Sequence, residues 1–242
     1  MNRELTVLPD RETFIETVAR AAEDVILDAL RERGVVHVAL TGGTIGVAVL
    51  SGIAVGSTSA IDWSLVHLWW GDERFVAQDS EERNANQARN ALLNRLDIPD
   101  ANIHEMPASD EGLSLDEGAQ QYSAQLAAYS TDAEIPSFDL TFLGIGPDSH
   151  VASLFPDHED ALRTGFVIPV RNSPKPPPER LSLSYEAINA SRRVWVVAFG
   201  ADKAQAVSAM FSCENDLSVP SSCVRGRLET RLWADEAAAQ KL

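Results

Sequence analysis

Apolar residues recur along this chain in two alternating patterns. Over residues 10–33, Phe14, Val18, Ala21, Ala22 and Val25 return at the spacing of one helical face, with Asp10 placed to cap the start and Gly34 to end it. A short apolar run, "VVHVALTGG" (35–43), follows and ends in two glycines. "LVHLWWGDER" (65–74) ends likewise, in glycine and then charges. "NANQARNALLNRL" (84–96) predicts a helix, "NIHEM" (102–106) a short strand, and residues 114–129 a further helix. "FDLTFLGIG" (138–146) and "RVWVVAFG" (193–200) are two more apolar runs that stop at glycine, and "ADKAQAVSAMF" behind the second is helical.

Apolar strands alternating with helices predict an α/β fold with a parallel sheet covered on both faces. With no repeat and no linker long enough to divide it, residues 1–242 are expected to form one domain. Ligands of such sheets sit beyond the carboxyl ends of the strands. Gly42–Thr44, Gly71–Arg74 and Gly144–His150 all lie just past an apolar run, so three polar, glycine-rich turns are expected to build one composite site. The proline-rich "NSPKPPPERLS" (172–182) reads as a stiff loop.

Charge narrows the ligand. A formal net charge of −16 argues against nucleic acid and anionic membrane as partners, because both need clustered cations. A small phosphorylated ligand needs only two or three well-placed cations. No stretch approaches the roughly 18 apolar residues of a membrane span, and the opening "MNRELTVLPDRETF" lacks the apolar core of a signal peptide. Cys213 and Cys223 are the only cysteines, too few for a disulfide framework, so a reducing cytoplasmic setting is expected. Neither monomer nor homodimer is favoured by the residues.

The turns carry the candidate chemistry. In "LTGGTIG", Gly42 and Gly43 let a backbone approach a ligand, and a helix start beyond them offers free N–H groups to a phosphate or sugar oxygen. Paired glycines also serve steric ends at such turns, and the dinucleotide fingerprint G-x-G-x-x-G is absent. In "WWGDERF", Arg74 presents a planar fork suited to phosphate, and Asp72 can orient a histidine or act as a base; a surface ion pair is the plainer reading. His150 is the one histidine in a specialised turn. His37 and His67 read as strand residues, and His104 and His158 have no partner pattern. No cysteine or histidine spacing supports a metal, and no G-x-S-x-G elbow supports a serine nucleophile, which leaves His150 with water. Lys175 and Arg180 flank the stiff loop, where a cation loses less entropy on meeting an anion.

Taken together, "TGGT", "WWGDERFV", "NANQARNALL", "FDLTFLGIGPDSHVASLFP", "PKPPPERLSLSYEAIN" and "WADEAAA" occur in one order from about residue 38 to residue 239. In that order they resemble the 6-phosphogluconolactonase family, within the glucosamine-6-phosphate deaminase/6-phosphogluconolactonase superfamily. The resemblance implies a Rossmann-like three-layer sandwich with a mostly parallel sheet, no metal, no cofactor, and a phosphorylated sugar lactone as substrate. It implies His150 as general base, with Asp148 in the same turn, Asp72 and Arg74 in the G-D-E-R segment, and Lys175 and Arg180 from the proline-rich loop. Arg74, Lys175 and Arg180 would hold the phosphate, and Gly42, Gly43 and Thr44 would contact the substrate.

The sequence departs from the family's S-G-G-S-T-P turn, with Thr44 for serine, Ile45 for threonine and Gly46 for proline, so a hydroxyl survives only at position 44. Ser149 stands where the family has glycine; if that position needs a positive φ, serine costs on the order of 1 kcal/mol. A deaminase is the close rival. There the histidine turn continues "IAFNEP", and the place of its glutamate is held here by Phe155, which transfers no proton. A sugar-phosphate sensor that binds without turnover is the rival from another class.

Overall fold

The computed structural model describes residues 3–56, 61–129 and 137–242. Nine strands and seven α-helices are present among them: β1 (Glu4–Leu8), α1 (Arg11–Arg33), β2 (Val36–Leu40), α2 (Thr44–Gly56), β3 (Val66–Trp70), β4 (Asp72–Arg74), α3 (Asn84–Ala91), α4 (Leu115–Ala128), β5 (Leu140–Gly144), β6 (Val167–Val170), β7 (Arg180–Leu183), α5 (Tyr185–Asn189), β8 (Arg193–Ala198), α6 (Ala204–Ser212), β9 (Glu229–Asp235) and α7 (Glu236–Ala239). α1 forms as its periodicity predicts. The Asp10 carboxylate accepts from the Thr13 N–H at 2.8 Å, and the Gly34 N–H closes the last turn on the Leu30 carbonyl at 2.8 Å. Its buried face is Phe14, Val18, Ala22, Ile26 and Ala29.

Six strands form a wholly parallel sheet in the order β1-β9-β8-β5-β2-β3. Consecutive residues of β5 and β8 are buried, so helices cover both faces and the strands read as continuous apolar runs. The order also locates a site. From β2 the chain steps outward to β3, then returns to the other side of β2 for β5 and continues away through β8 and β9. The crevice between the carboxyl ends of β2 and β5 is therefore the topological switch point, where ligands of open α/β sheets bind.

A second, antiparallel sheet in the order β4-β7-β6 was not legible in the sequence. The chain passes from β3 through the single residue Gly71 into β4, so Asp72–Arg74, expected within a turn, is a strand. The end of the proline-rich segment, expected as loop through residue 182, is strand β7 from Arg180. "NIHEM" is not a strand. Ile103 makes one bridge to Leu68, and the His104 N–H donates to the Leu68 carbonyl at 2.9 Å. A 3-10 turn at Asp100–Asn102 precedes that bridge and Pro107, which has no N–H, follows it. The helix expected over 84–96 stops at Ala91 and gives way to a 3-10 turn at Leu93–Arg95. Among the described residues no helix is long and apolar enough to cross a membrane.

Candidate active site

A cavity of about 390 Å³ opens at the switch point, within the size range of small-molecule sites. Gly42, Gly43, Thr44, Asp72, Arg74, His150, Lys175 and Arg180 all border it, from four separate parts of the chain. Asp148, also expected at the site, does not line the cavity and reaches it through His150. Arg11, Asn84 and Lys203 border it as well and were not among the expected residues. In a chain of net charge −16, five cations on one cavity are a local reversal of sign.

The strand ends are joined by hydrogen bonds that the turn residues supply. The Thr41 hydroxyl accepts from the Gly144 N–H at 3.0 Å, tying the end of β2 to the end of β5. Gly42 is glycine because a Cβ there would stand 1.9 Å from Asn84 Oδ1. α2 then begins at the cavity, its first closing bond running from the Val47 N–H to the Gly43 carbonyl. Its earlier N–H groups have no intrahelical partner and present donors to an anionic oxygen.

The turn after β5 brings an acid to the histidine. The Ser149 N–H donates to the Gly146 carbonyl and the Gly146 N–H to the His150 carbonyl, each at 2.9 Å. His150 Nδ1 lies 2.5 Å from Asp148 Oδ1. That meeting requires glycine at 146, where a Cβ would come within 1.9 Å of Nδ1 and 2.4 Å of Oδ1. Ser149 has a φ of 69°, so the serine does sit in the left-handed region that the family's glycine suits. Burial alone would raise the Asp148 pKa; the hydrogen bond and charge of His150, with Lys175 beside them, outweigh it and hold the carboxyl well below the usual range. The His150 ring packs on Phe155 with centroids 4.8 Å apart.

β4 and β7 deliver the other charges. Alternation along β4 points Asp72 and Arg74 to the cavity and Glu73 the opposite way. Pairing with β7 sets Arg74 directly opposite Arg180, and both border the cavity. Asp72 Oδ2 accepts from the Ser153 hydroxyl at 2.7 Å and lies 3.9 Å from Arg180 Nη1. Asn84 Nδ2 donates to the Asp72 carbonyl at 2.8 Å and to its Oδ1 at 3.3 Å, while Asn84 Oδ1 accepts from Arg74 Nη1 at 2.7 Å. One amide thus aligns a carboxylate and a guanidinium. Arg180 is buried, and its Nε and Nη2 donate to the carbonyls of Lys175, Pro176 and Pro177 at 3.0–3.3 Å. Burial lowers its pKa against the support of Asp72, and the guanidinium stays charged.

Glu73, between Asp72 and Arg74 in the charged "GDER" segment, is wholly buried behind the site. Its carboxylate accepts from the N–H groups of Arg74, Asn84 and Ala85 at 2.7–2.9 Å and so caps α3. Burial pushes its pKa up to about 7 against Arg83 and those three donors. His37 and His67 lie on β2 and β3 as expected, in a stack that His104 joins. Among the described residues, no group of three or more His, Cys, Asp or Glu side chains is gathered to hold a metal ion. Of the residues that sequence reasoning missed, Arg11 and Asn84 begin helices and Lys203 ends the 3-10 turn after β8. The strand-end rule, applied to β8 as it was to β2, β3 and β5, points to Lys203.

Comparison with known proteins adds an independent line. Residues 9–233 match the family model described as glucosamine-6-phosphate isomerases/6-phosphogluconolactonase. A 6-phosphogluconolactonase of Streptomyces coelicolor is 44% identical over 247 aligned positions, covering 99% of this chain and 94% of that one. One of Mycobacterium tuberculosis is 41% identical, covering 100% and 99%. The solved 6-phosphogluconolactonase of Thermotoga maritima superposes with a TM-score of 0.86 at 26% identity, over 97% of this chain and 100% of that one. A solved monomeric glucosamine-6-phosphate deaminase, 17% identical, superposes at 0.82 over 99% and 100%, so the fold alone does not choose between the two activities.

Proposed function

The chain belongs to the family of glucosamine-6-phosphate isomerases and 6-phosphogluconolactonases, and within it to the lactone hydrolases of the pentose phosphate pathway; from that premise we propose how it acts. The substrate is 6-phospho-D-glucono-1,5-lactone and the product 6-phosphogluconate. The observation that carries the mechanism is the 2.5 Å contact of His150 Nδ1 with Asp148 on the border of a cation-lined cavity. A carboxylate only accepts, so Nδ1 carries the proton and Nε2 is left as the base.

His150 Nε2 takes a proton from water as the water oxygen attacks C1 of the lactone. The tetrahedral intermediate collapses with the ring oxygen as leaving group, and the imidazolium returns the proton to that oxygen. Asp148 orients the ring and stabilises the imidazolium between the two steps. Arg74, Lys175 and Arg180 form the positive border against which the phosphate is held, with Arg180 also fixing the loop that carries Lys175. Binding energy at the phosphate then positions the reacting carbonyl. Asp72, aligned by Asn84 and Ser153, orients the sugar hydroxyls. Two unpaired cysteines suit a reducing cytoplasmic setting for a chain that works as one α/β unit.

The deaminase reading lacks its proton carrier, since Phe155 packs a phenyl ring against His150 where the deaminases have glutamate. The deciding test is hydrolysis of the lactone, generated in situ with the spontaneous rate subtracted, by wild type and His150→Ala. The expected result is catalysis that falls roughly 10²–10⁴-fold in the folded variant. Activity that survives the substitution would remove His150 from its role and leave the family's reaction standing. Binding without any turnover would make the protein a sensor.

A further inference from the structure

Lys175 stands where a phosphate ligand alone need not stand. Its Nζ lies 3.2 Å from Asp148 Oδ1 and 3.1 Å from His150 Nδ1, while Oδ1 and Nδ1 are themselves 2.5 Å apart. These three contacts cannot all be hydrogen bonds. An ammonium only donates and a carboxylate only accepts. With Nδ1 protonated toward Asp148, as the short contact demands, Nδ1 has no lone pair for Lys175. The ammonium therefore shares the one carboxylate oxygen that His150 uses, and its charge sits beside the ring nitrogen with no hydrogen bond between them.

The arithmetic of charge follows. With Lys175 in place, neutral His150 completes a group of net charge zero and imidazolium raises it to +1. With Lys175 withdrawn, imidazolium brings the group from −1 to zero. A like charge at this distance weakens a base, and its removal strengthens it. The Lys175 backbone is tied down while its side chain is partly exposed. Arg180 Nη2 and the Ser173 hydroxyl both donate to the Lys175 carbonyl, at 3.1 and 2.9 Å, but the Lys175 side chain is 38% exposed on four rotatable bonds. Of the other charged groups on the cavity, Arg11, Asp72, Arg74, Arg180, Asp202 and Lys203, none makes a hydrogen bond or ion pair with His150 or Asp148 among the described residues.

We infer that Lys175 is a positioning residue that couples phosphate recognition to the strength of the base: in the empty site it restrains His150, and on moving to a substrate phosphate it releases Asp148 to His150. The inference rests on His150 being the base. It goes beyond that reading by making the phosphate switch the base on rather than merely hold the substrate.

The His150 ring titration by NMR reads the coupling without any turnover. Wild type, Lys175→Met and Lys175→Arg are compared, each with and without inorganic phosphate. The midpoint is expected to be higher in Lys175→Met than in wild type, and near wild type in Lys175→Arg. Phosphate is expected to raise the wild-type midpoint and to move that of Lys175→Met much less. In kinetics on unphosphorylated glucono-δ-lactone, the acid limb of kcat shifts up with the Met variant while KM stays put. Identical midpoints in wild type and Lys175→Met would overturn the coupling, as would a variant that raises only KM for the phosphorylated lactone. A midpoint shift in a protein that hydrolyses no lactone would leave the coupling standing and remove the assigned reaction.

Discussion

One histidine and a group of three sit at opposite ends of the same parallel sheet. His150 lies beyond the carboxyl end of β5, bound to a carboxylate and open to a cavity lined with cations. His37 and His67 lie near the amino ends of β2 and β3. There they stack on each other at 4.8 Å, and His104 stacks on Trp69 at 3.8 Å. Four of their ring nitrogens meet neutral partners. Trp69 Nε1 donates to His37 Nδ1 at 3.1 Å, His67 Nδ1 meets His104 Nε2 at 3.0 Å, and Gln125 meets His104 Nδ1 at 3.0 Å. Burial, with the neighbouring histidines behind it, pulls His37 and His104 down to about 4, and burial lowers His67. The difference teaches that the partner, not the residue type, makes a histidine chemical. A carboxylate and access to a cavity poise a proton carrier, whereas aromatic packing holds the ring neutral as a piece of core.

The sharpest way to break the comparison is to remove the carboxylate. Asp148→Asn keeps the shape but replaces the proton acceptor with an amide that also donates, so His150 loses its enforced tautomer. The expected loss in kcat is on the order of 10²-fold or more, with little change in thermal midpoint. A variant as fast as wild type would make the Asp148 contact incidental.

Next comes the alignment of the carboxylate and guanidinium on β4. Asn84→Asp preserves the acceptor for Arg74 but sets a carboxylate oxygen against Asp72 where Nδ2 now donates. We expect kcat/KM to fall roughly 10–100-fold, with partial recovery at lower pH as the two carboxylates share a proton. A flat pH response of the defect would mean that Asn84 serves only to hold α3.

At the other end of the sheet the expectation is one of stability. The folded-state pKa values of His37 and His104 are depressed, so the unfolded chain binds protons first. Their contribution is complete above the unfolded pKa near 6.5 and is lost as pH falls through about 4. The loss should be read as a falling Tm between pH 7 and 4. A Tm that stays level over that range would contradict the neutral stack.

The smallest effect belongs to the turn itself. Ser149→Gly removes a side chain from a φ of 69°, and should stabilise by about 0.5–1 kcal/mol. A differential melt would show it as a rise of roughly 1–4 °C. An unchanged or lower melting point would mean that the hydroxyl offsets the strain.

Much of this molecule was legible along the chain because it depends on near neighbours. The helical face of α1 with Asp10 and Gly34 at its ends, the four apolar runs that became β2, β3, β5 and β8, and the three glycine-ended turns are written within a few residues of one another. The edge strand β1 and the strand β9 were harder to see, since "ELTVL" mixes polar with apolar residues and "ETRLWAD" holds only three apolar residues between charged ends. Local order was enough to place Asp72, Arg74, His150, Lys175 and Arg180 at strand ends or a stiff loop, and hence on one cavity.

What only the tertiary structure decided is what those residues touch. The pairing of β4 with β7 set Arg74 against Arg180 across more than a hundred residues of chain. Glu73 turned inward because alternation along a strand gives neighbouring side chains opposite faces, and "GDER" read as a turn hides that rule. Asn84 bridges Asp72 and Arg74, and Lys175 reaches the His150–Asp148 pair, through contacts that no local periodicity encodes. Side-chain identity and spacing determine which groups are available; the order of strands in the sheet determines which of them share an oxygen.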